Sequence, residues 1–334
     1  MKVSRIHRHG GPEVFQYEDV ETPSAGPGEV LVRVESASVN YADVNRRNND
    51  PYPFPSPLPF IPGSEVAGVV EAVGDGVTGV ATGAHVFAVL ENGGAGGYAQ
   101  YAVAKAEKVI PLPEGLNFDQ ACSLIVAGMT GLQSLTDCAN LQPGETVLVH
   151  AAGGGVGTYA VQIARHLGAG RIIATASTEA KRRLALELGA DYAIDYTRAG
   201  WVQEVLAMTA GRGVDVVLES TGGEVVRQSI EAMAPFGRIV VFGAASRDRS
   251  PLNPYALLAK NQSLITYYVN GWFVLRRDAA VARLNQLADL IRTGAIRVQI
   301  GHVFALRDAA KAHQVLAERG SAGKIILKPW ADPA

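Results

Sequence analysis

The sequence predicts an α/β protein of two parts: a compact, β-rich, barrel-like domain and a doubly wound parallel sheet with helices on both faces. Three observations carry this. From Met1 to about Lys108, short alternating apolar runs are punctuated by glycine and proline, as strands with frequent turns require. After Asn117, strand-like and helix-like segments alternate, which implies parallel strands joined by covering helices. Between Thr146 and Gly168 the stretch TVLVHAAGGGVGTYAVQIARHLG reads as a buried strand, a glycine turn and a helix. At 334 residues, the chain also exceeds what one hydrophobic core usually holds, so two domains are expected.

Each element has its own signal. Val30, Val32 and Val34 alternate within GEVLVRVES, the pattern of a half-buried strand. Val66 to Val73 forms a second run and ends at Gly74-Asp75-Gly76; Val86–Val89 and Tyr98–Val103 add two more. Between them, Asp50 to Pro62 holds six prolines, which stiffen a loop rather than build an element. A helical stretch from Phe118 to Ala139 leads into the strand at 147–149, and Tyr159, Ala160, Ile163, Ala164 and Leu167 then form one apolar helix face. Strands follow at Arg171–Ala176, Asp191–Ile194, Val214–Leu218 and Arg238–Phe242, with helices near Glu179–Leu188, Trp201–Met208 and Glu224–Met233. Gln262 to Tyr268 reads as an edge strand. Helices at Asp278–Arg292 and Asp308–Glu318 and a last strand, Lys324–Leu327, complete the chain.

Composition excludes several classes. A net charge of −2 lacks the basic bias of nucleic-acid binders. No apolar run approaches a membrane span, and MKVSRIHRHGG has no apolar signal core. The two cysteines, Cys122 and Cys138, form no CxxC; they are expected as reduced thiols of a cytoplasmic protein.

The glycine turn carries the chemistry. Glycines at 153, 154, 155 and 157 permit a tight turn and let a diphosphate reach the N–H groups and positive dipole end of the following helix. Strand before and helix after are the context a dinucleotide motif demands. Twenty residues beyond Gly157, where an acidic residue would hold the ribose 2′-hydroxyl of NAD, stands Ser177, with Lys181 one turn later. A hydroxyl and an ammonium suit a 2′-phosphate, so the expected cofactor is NADPH. Arg182 and Arg183 read as a solvated helix face. Ligands in such sheets sit beyond the carboxyl ends of strands, here Gly154–Gly157, Ser177, Glu219–Thr221 and Gly243–Ser246.

Eight segments carry a resemblance over nearly the whole chain: ASVNYADVNRR (37–47), PFIPGSEVAGVVEAVGDGV (59–77), GGYAQYAVA (96–104), AGMTGLQSL (127–135), HAAGGGVGTYAVQIA (150–164), LGADYAIDY (188–196), GVDVVLESTGG (213–223) and SAGKIILKP (321–329). With these the chain resembles the zinc-free quinone oxidoreductase branch of the medium-chain dehydrogenase/reductase superfamily, the branch of NADPH:quinone reductases and ζ-crystallin. The resemblance implies a GroES-like β-barrel catalytic domain from both chain ends, 1–120 and 270–334, and a Rossmann doubly wound parallel-sheet domain, 121–269, binding NADPH. Zinc-dependent relatives place a cysteine near position 40, a histidine near 64 and a further ligand near 127. Asn40, Ser64 and Ala127 stand there, so no metal is expected, and His85 and His150 are expected to be structural. Without a Lewis acid, the implied acceptor is already electron-poor: a quinone or an activated enone.

The resemblance also implies residue roles. Gly154, Gly155, Val156 and Gly157 face the diphosphate. Tyr196 flanks the adenosine phosphate beside Ser177 and Lys181, or covers the sheet as a strand-end aromatic. Arg319 reaches the cofactor from the final helix. Thr130 touches the nicotinamide or caps its own helix turn, and Thr221, Phe242, Gly243, Ala244, Tyr267, Tyr268 and Val269 belong to the cofactor pocket. For the acceptor, Asn40 can donate to a developing oxyanion, Tyr52 can donate a hydrogen bond or stack, and Tyr41 lines the cleft or packs beside its loop. Asp43 reads as a helix-start residue. The implied protein is a homodimer joined at the 262–268 edge, reducing quinones with NADPH; an enoyl or alkenal double-bond reductase and a non-catalytic NADPH-binding protein are the alternatives.

Overall fold

The computed structural model describes residues 1–90, 95–248 and 251–331. The chain divides into two compact units, Met1–Val126 with Ile300–Ala334, and Ala127–Gln299.

The first unit opens with an antiparallel pair, β1 (Lys2–Ile6) and β2 (Phe15–Asp19). Its spine is β3 (Glu29–Val39), where Val30, Val32 and Val34 are fully buried and Arg33 and Glu35 pair at 2.7 Å. Helix α1 (Tyr41–Asn48) follows at once. Then come β4 (Glu65–Val73), β5 (His85–Val89), β6 (Tyr101–Lys105) and β7 (Val109–Pro111). The stretch expected as one helix from Phe118 to Ala139 is segmented: α2 (Phe118–Ala121), a π turn (Leu124–Gly128), α3 (Met129–Gln133) and a second π turn (Ser134–Cys138). Such wide turns recur at functional sites.

In the second unit β8 (Thr146–Val149), α4 (Gly155–His166), β9 (Arg171–Thr175), α5 (Glu179–Glu187), β10 (Tyr192–Ile194), α6 (Trp201–Met208), β11 (Val214–Glu219), α7 (Glu224–Ala232), β12 (Met233–Val241) and β13 (Ser263–Thr266) alternate as expected. The strands form one parallel six-stranded sheet in the order β10-β9-β8-β11-β12-β13, the strand order of a dinucleotide-binding doubly wound fold. Helices α8 (Val269–Leu275) and α9 (Arg277–Arg292) close this unit. The chain then returns to the first unit with β14 (Ile300–Ala305), α10 (Ala309–Ala317) and β15 (Lys324–Lys328). There the order is β14-β15-β3-β4-β5-β7, with β6 also on β3.

The expected domain limits at 120/121 and 269/270 therefore lie at 126/127 and 299/300. The reason is α9. It buries Ala280, Leu284, Leu287 and Ile291, and its Arg283 grips Asp137 through Nε and a terminal nitrogen, each at 3.0 Å. Leu287 also passes so near Gly128 that a Cβ there would stand 2.5 Å from its methyl group. Replacing fully buried Leu287 by alanine should cost about 2–5 kcal/mol of stability, read by chemical denaturation; a native-like midpoint would remove α9 from this core.

Candidate functional site

The parallel sheet reverses its winding at β8, which has β9 on one side and β11 on the other. The crevice beyond such a switch point is where ligands bind. Gly154 is the N-cap of α4, in extended conformation (φ −87°, ψ 178°), and Gly155, Val156 and Gly157 form the first turn, whose N–H groups lack intrahelical partners. At Gly157 a Cβ would stand 2.4 Å from the Ala151 carbonyl oxygen and 2.5 Å from the Ala152 Cα. Only glycine lets the helix start this close to the strand end. A Cβ on Gly153 would meet the Lys181 Cβ at 2.6 Å, so the glycine turn lies directly against α5. This is a fitting cradle for a diphosphate.

One strand over, Ser177 is half-buried beyond the end of β9 and Thr178 caps α5, its hydroxyl accepting from the Lys181 N–H at 3.4 Å. Arg182 is not the solvated residue the sequence suggested. Its guanidinium donates to the Ala176 carbonyl at 3.0 Å and pairs with Asp195 at 3.1 Å. Arg183 does behave as expected, exposed and paired with exposed Glu179. Tyr196, just past β10, is half-buried, meets the His150 ring edge-on and packs on the core beneath the sheet.

At the end of β11, Glu219 is fully buried and accepts from the N–H groups of Thr221 and, at 3.0 Å, Gly222. Its other oxygen, Oε2, is 3.8 Å from His150 Nε2 and has no hydrogen-bond partner among the described residues. The Ser229 hydroxyl donates to Val225 O at 2.6 Å, so its oxygen accepts from His150 Nε2–H at 2.8 Å, and His150 Nδ1 accepts from Thr175 at 2.9 Å. Burial pushes the His150 pKa down to about 3 and, against the opposing backbone N–H groups, the Glu219 pKa up to about 7. His150 is thus a neutral structural histidine, as expected. Beside it Phe242 N–H donates to Glu219 O at 3.0 Å, and a Cβ on Gly243 would meet Ser220 O at 3.2 Å. The Ala244 Cβ, in turn, lies 3.0 Å from where a Cβ on Gly222 would sit.

Thr130 and Tyr267, assigned to the cofactor separately, meet each other. The buried Tyr267 hydroxyl donates to Gln133 at 2.7 Å and is hydrogen-bonded by Thr130; burial raises its pKa. Tyr267 and Val269 are buried and Tyr268 is exposed, with Asn270 donating to its hydroxyl at 3.2 Å. The edge strand ends at Thr266, before Tyr267 and Tyr268.

In the first unit Asn40 is the N-cap of α1 and Tyr41 its first residue. The role given to Asn40 needs correction. Its Oδ1 accepts from the buried Lys324 ammonium at 2.6 Å, while Nδ2 donates to Ser38 at 3.1 Å and Glu65 at 3.2 Å. An ammonium can only donate, which fixes the amide orientation and leaves no amide hydrogen for an oxyanion. Lys324 also pairs with buried Glu65 at 3.5 Å. Asp43 begins the helix as read: it accepts from Asn40 N–H at 2.8 Å and Gly63 N–H at 3.1 Å, and burial raises its pKa to about 6. Tyr52 lies in the proline loop, which buried Arg46 anchors. Arg46 donates to Ser56 and Pro55 O at 2.9 Å and stacks over Tyr52 at 5.4 Å and Phe60 at 4.4 Å. Arg319 is exposed just past α10, in left-handed conformation (φ 57°).

No three His, Cys, Asp or Glu side chains gather as a metal site among the described residues. Beside Asn40 stands an ammonium, and the Ser64 hydroxyl lies 3.5 Å from Asp43. Positions 40, 64 and 127 thus offer an amide, a hydroxyl and a methyl group, whereas zinc takes thiolate, imidazole or carboxylate.

Two family models match: an alcohol dehydrogenase GroES-like domain over residues 26–114 and a zinc-binding dehydrogenase domain over 155–288. A quinone oxidoreductase of Pseudomonas aeruginosa is 38% identical over 96% of this chain and 97% of its own length. A 2-haloacrylate reductase of Burkholderia is 35% identical, covering 98% of each chain. The Escherichia coli quinone oxidoreductase structure complexed with NADPH superimposes with a TM-score of 0.91 at 31% identity, over 98% of this chain and 100% of that one.

The raised Glu219 pKa has a thermodynamic sign. The native carboxyl keeps its proton to about pH 7, whereas the unfolded one loses it near its ordinary 4.5, so native stability falls between those values. At about 1.4 kcal/mol per unit, Glu219→Gln should gain about 2–3 kcal/mol on the native chain between pH 4.5 and 8. His150 contributes the opposite slope, a rise in stability between about pH 3 and 6.5, but to both proteins alike. Urea unfolding across this range checks it; a constant stability difference would refute a buried, protonated Glu219.

Proposed function

The chain belongs to the zinc-free quinone oxidoreductase branch of the medium-chain dehydrogenase/reductase superfamily, and from that premise we propose that it reduces quinones with NADPH, without a metal. One observation carries the reading: a glycine cradle at the sheet's switch point, flanked at the next strand end by Ser177 and Lys181 in place of a carboxylate. Bound NADPH supplies a hydride. The backbone of Gly154, Gly155, Val156 and Gly157 holds its diphosphate, and Ser177, Lys181 and Tyr196 hold the 2′-phosphate. Thr130, braced by Tyr267, joins Thr221, Phe242, Gly243, Ala244, Tyr268 and Val269 around the nicotinamide, and Arg319 adds a cation to the cofactor. Tyr41 and Tyr52 bind the acceptor, with Asn40 as a fixed wall and the Tyr52 ring available for stacking. Positioning a hydride donor against an already electron-poor acceptor supplies most of the catalysis.

The likeness to a 2-haloacrylate reductase favours a second reading, hydride addition to an activated carbon–carbon double bond. NADPH oxidation against a panel of ortho- and para-quinones and enones separates the two, and no turnover with any of them would leave only a nucleotide-binding protein. In the same assay, Lys181→Ala should weaken NADPH by about 1.5–3 kcal/mol, one charge-assisted hydrogen bond, and leave NADH unchanged. Equal native affinity for the two cofactors would sink the assignment.

A cytoplasmic homodimer completes the proposal. Cys122 and Cys138 are free thiols, and no described helix is long and apolar enough to cross a membrane. Edge strand β13 exposes Leu264, and Phe236, Tyr255 and Leu258 are exposed on the adjoining segments. An apolar sheet edge of this kind calls for a partner. Light scattering at micromolar concentration should give the mass of two chains; a single-chain mass would exclude the dimer.

A further inference from the structure

We infer that Arg182 is a positioning residue for the 2′-phosphate, acting by neutralising Asp195 at the rim of the proposed phosphate site; the inference rests on the NADPH reading above. One guanidinium nitrogen of Arg182 donates both to the Ala176 carbonyl at 3.0 Å and to Asp195 Oδ2 at 3.1 Å. Ala176 precedes Ser177, Asp195 precedes Tyr196, and Arg182 follows Lys181. The residue therefore ties together the three segments that carry the proposed phosphate ligands. It also means that a carboxylate lies a single nitrogen away from the main chain entering Ser177.

That carboxylate is charged at neutral pH. The Thr197 hydroxyl, at 2.6 Å, and the Thr197 N–H, at 3.0 Å, donate to Oδ1 and hold its pKa below the ordinary range, helped by Arg182 and Arg198. Arg198 is 77% exposed and 3.7 Å away, so water screens its contribution. The Arg182 and Asp195 side chains are only 20% and 14% exposed, and their pairing is screened less. A carboxylate at a neighbouring strand end is how a dinucleotide fold rejects a 2′-phosphate. Here the negative charge is present one strand further on, and Arg182 cancels it. Arg183, which pairs with Glu179 on the solvent side at 68% and 81% exposure, has no such task.

The test is a titration of the full-length chain with NADPH and with NADH, followed by cofactor fluorescence, for the native protein and for Arg182→Met, Asp195→Asn, the double variant, Arg183→Met and Lys181→Ala. Arg182→Met should weaken NADPH by about tenfold, the cost of one uncompensated charge near a phosphate, and leave NADH within about twofold. Asp195→Asn should bind NADPH as well as the native chain or better, and the double variant should regain most of the lost affinity. Arg183→Met should keep the native NADPH-to-NADH ratio. Equal losses for both cofactors in Arg182→Met, or a double variant as weak as the single one, would reduce Arg182 to a structural brace and overturn the inference. So would weakened NADPH binding in Asp195→Asn. A native chain indifferent to the two cofactors overturns the NADPH reading as well, whereas a selective native chain that loses selectivity in Lys181→Ala but not in Arg182→Met overturns this inference alone.

Discussion

The parallel-sheet unit depends on how closely α4 is pressed against the end of β8. With no room for a Cβ at Gly157, the first turn of the helix sits over the strand end, and its N–H groups and positive dipole end look into the switch-point crevice. The same closeness is passed on. A Cβ on Gly131 would stand 3.3 Å from the Ala160 nitrogen, so α3 lies tight on α4, and Leu287 of α9 closes over Gly128. A run of glycine contacts thus links the diphosphate cradle to the short helix that carries Thr130, with a π turn on either side of it. The geometry that admits a diphosphate also places the residue assigned to the nicotinamide.

The first unit is organised by buried polar groups whose directions are forced. Arg47 can only donate, so His313 Nδ1 accepts its N–H at 3.1 Å, His313 Nε2 carries the proton and donates to the Tyr98 hydroxyl at 2.9 Å, and Tyr98 donates to Asp43 at 3.3 Å. Burial and the Arg47 charge hold the His313 pKa well below its ordinary range, consistent with a neutral ring. The chain of donors ends on Asp43, which fixes the start of α1. Four fully buried groups thereby share one polarised arrangement. Reversing any member would leave a buried donor facing a donor, which costs about 1–3 kcal/mol per unsatisfied group.

Much of this was legible in the sequence, and the parts that were not share a physical cause. The alternation from β8 to β11 and the helix at Trp201–Met208 stand almost at their expected limits, because buried parallel strands and amphipathic helices carry their own periodicity. Only β12 begins well before its expected start at Arg238, at Met233. β1, β2 and β14 carry no strand signal of their own: β1 and β2 are held by pairing with each other across residues 7–14, and β14 by lying beside β15. The placing of Ser177 and Lys181 on the segment after β9 was readable from their spacing to Gly157, and Lys181 lies against Gly153. The roles of Arg182 and Asn40 were not, since each is set by partners far away in sequence: Asp195 for one, Glu65 and Lys324 for the other. A lysine directly after the single glycine of SAGKIILKP carries no sign that its ammonium is buried. Only the position of β15 beside β3 shows that.

The Lys324–Glu65 pair governs what surrounds Asn40. A buried ion pair is weak evidence for stability, since well-packed apolar residues often replace one at no loss. Its effect here is orientational. Lys324 faces the Asn40 oxygen, Glu65 Oε1 accepts from Ser38 and the Asn40 nitrogen, and Glu65 Oε2 accepts from Val126 N–H at 2.9 Å. Each bond fixes the next, so the N-cap of α1 is held in one orientation with Tyr41 immediately behind it. A second cation at this place would meet the Lys324 ammonium and find an amide oxygen already in use. Lys324 puts a cation of the chain's own beside Asn40, one that holds a helix start in place and, being only a donor, coordinates nothing.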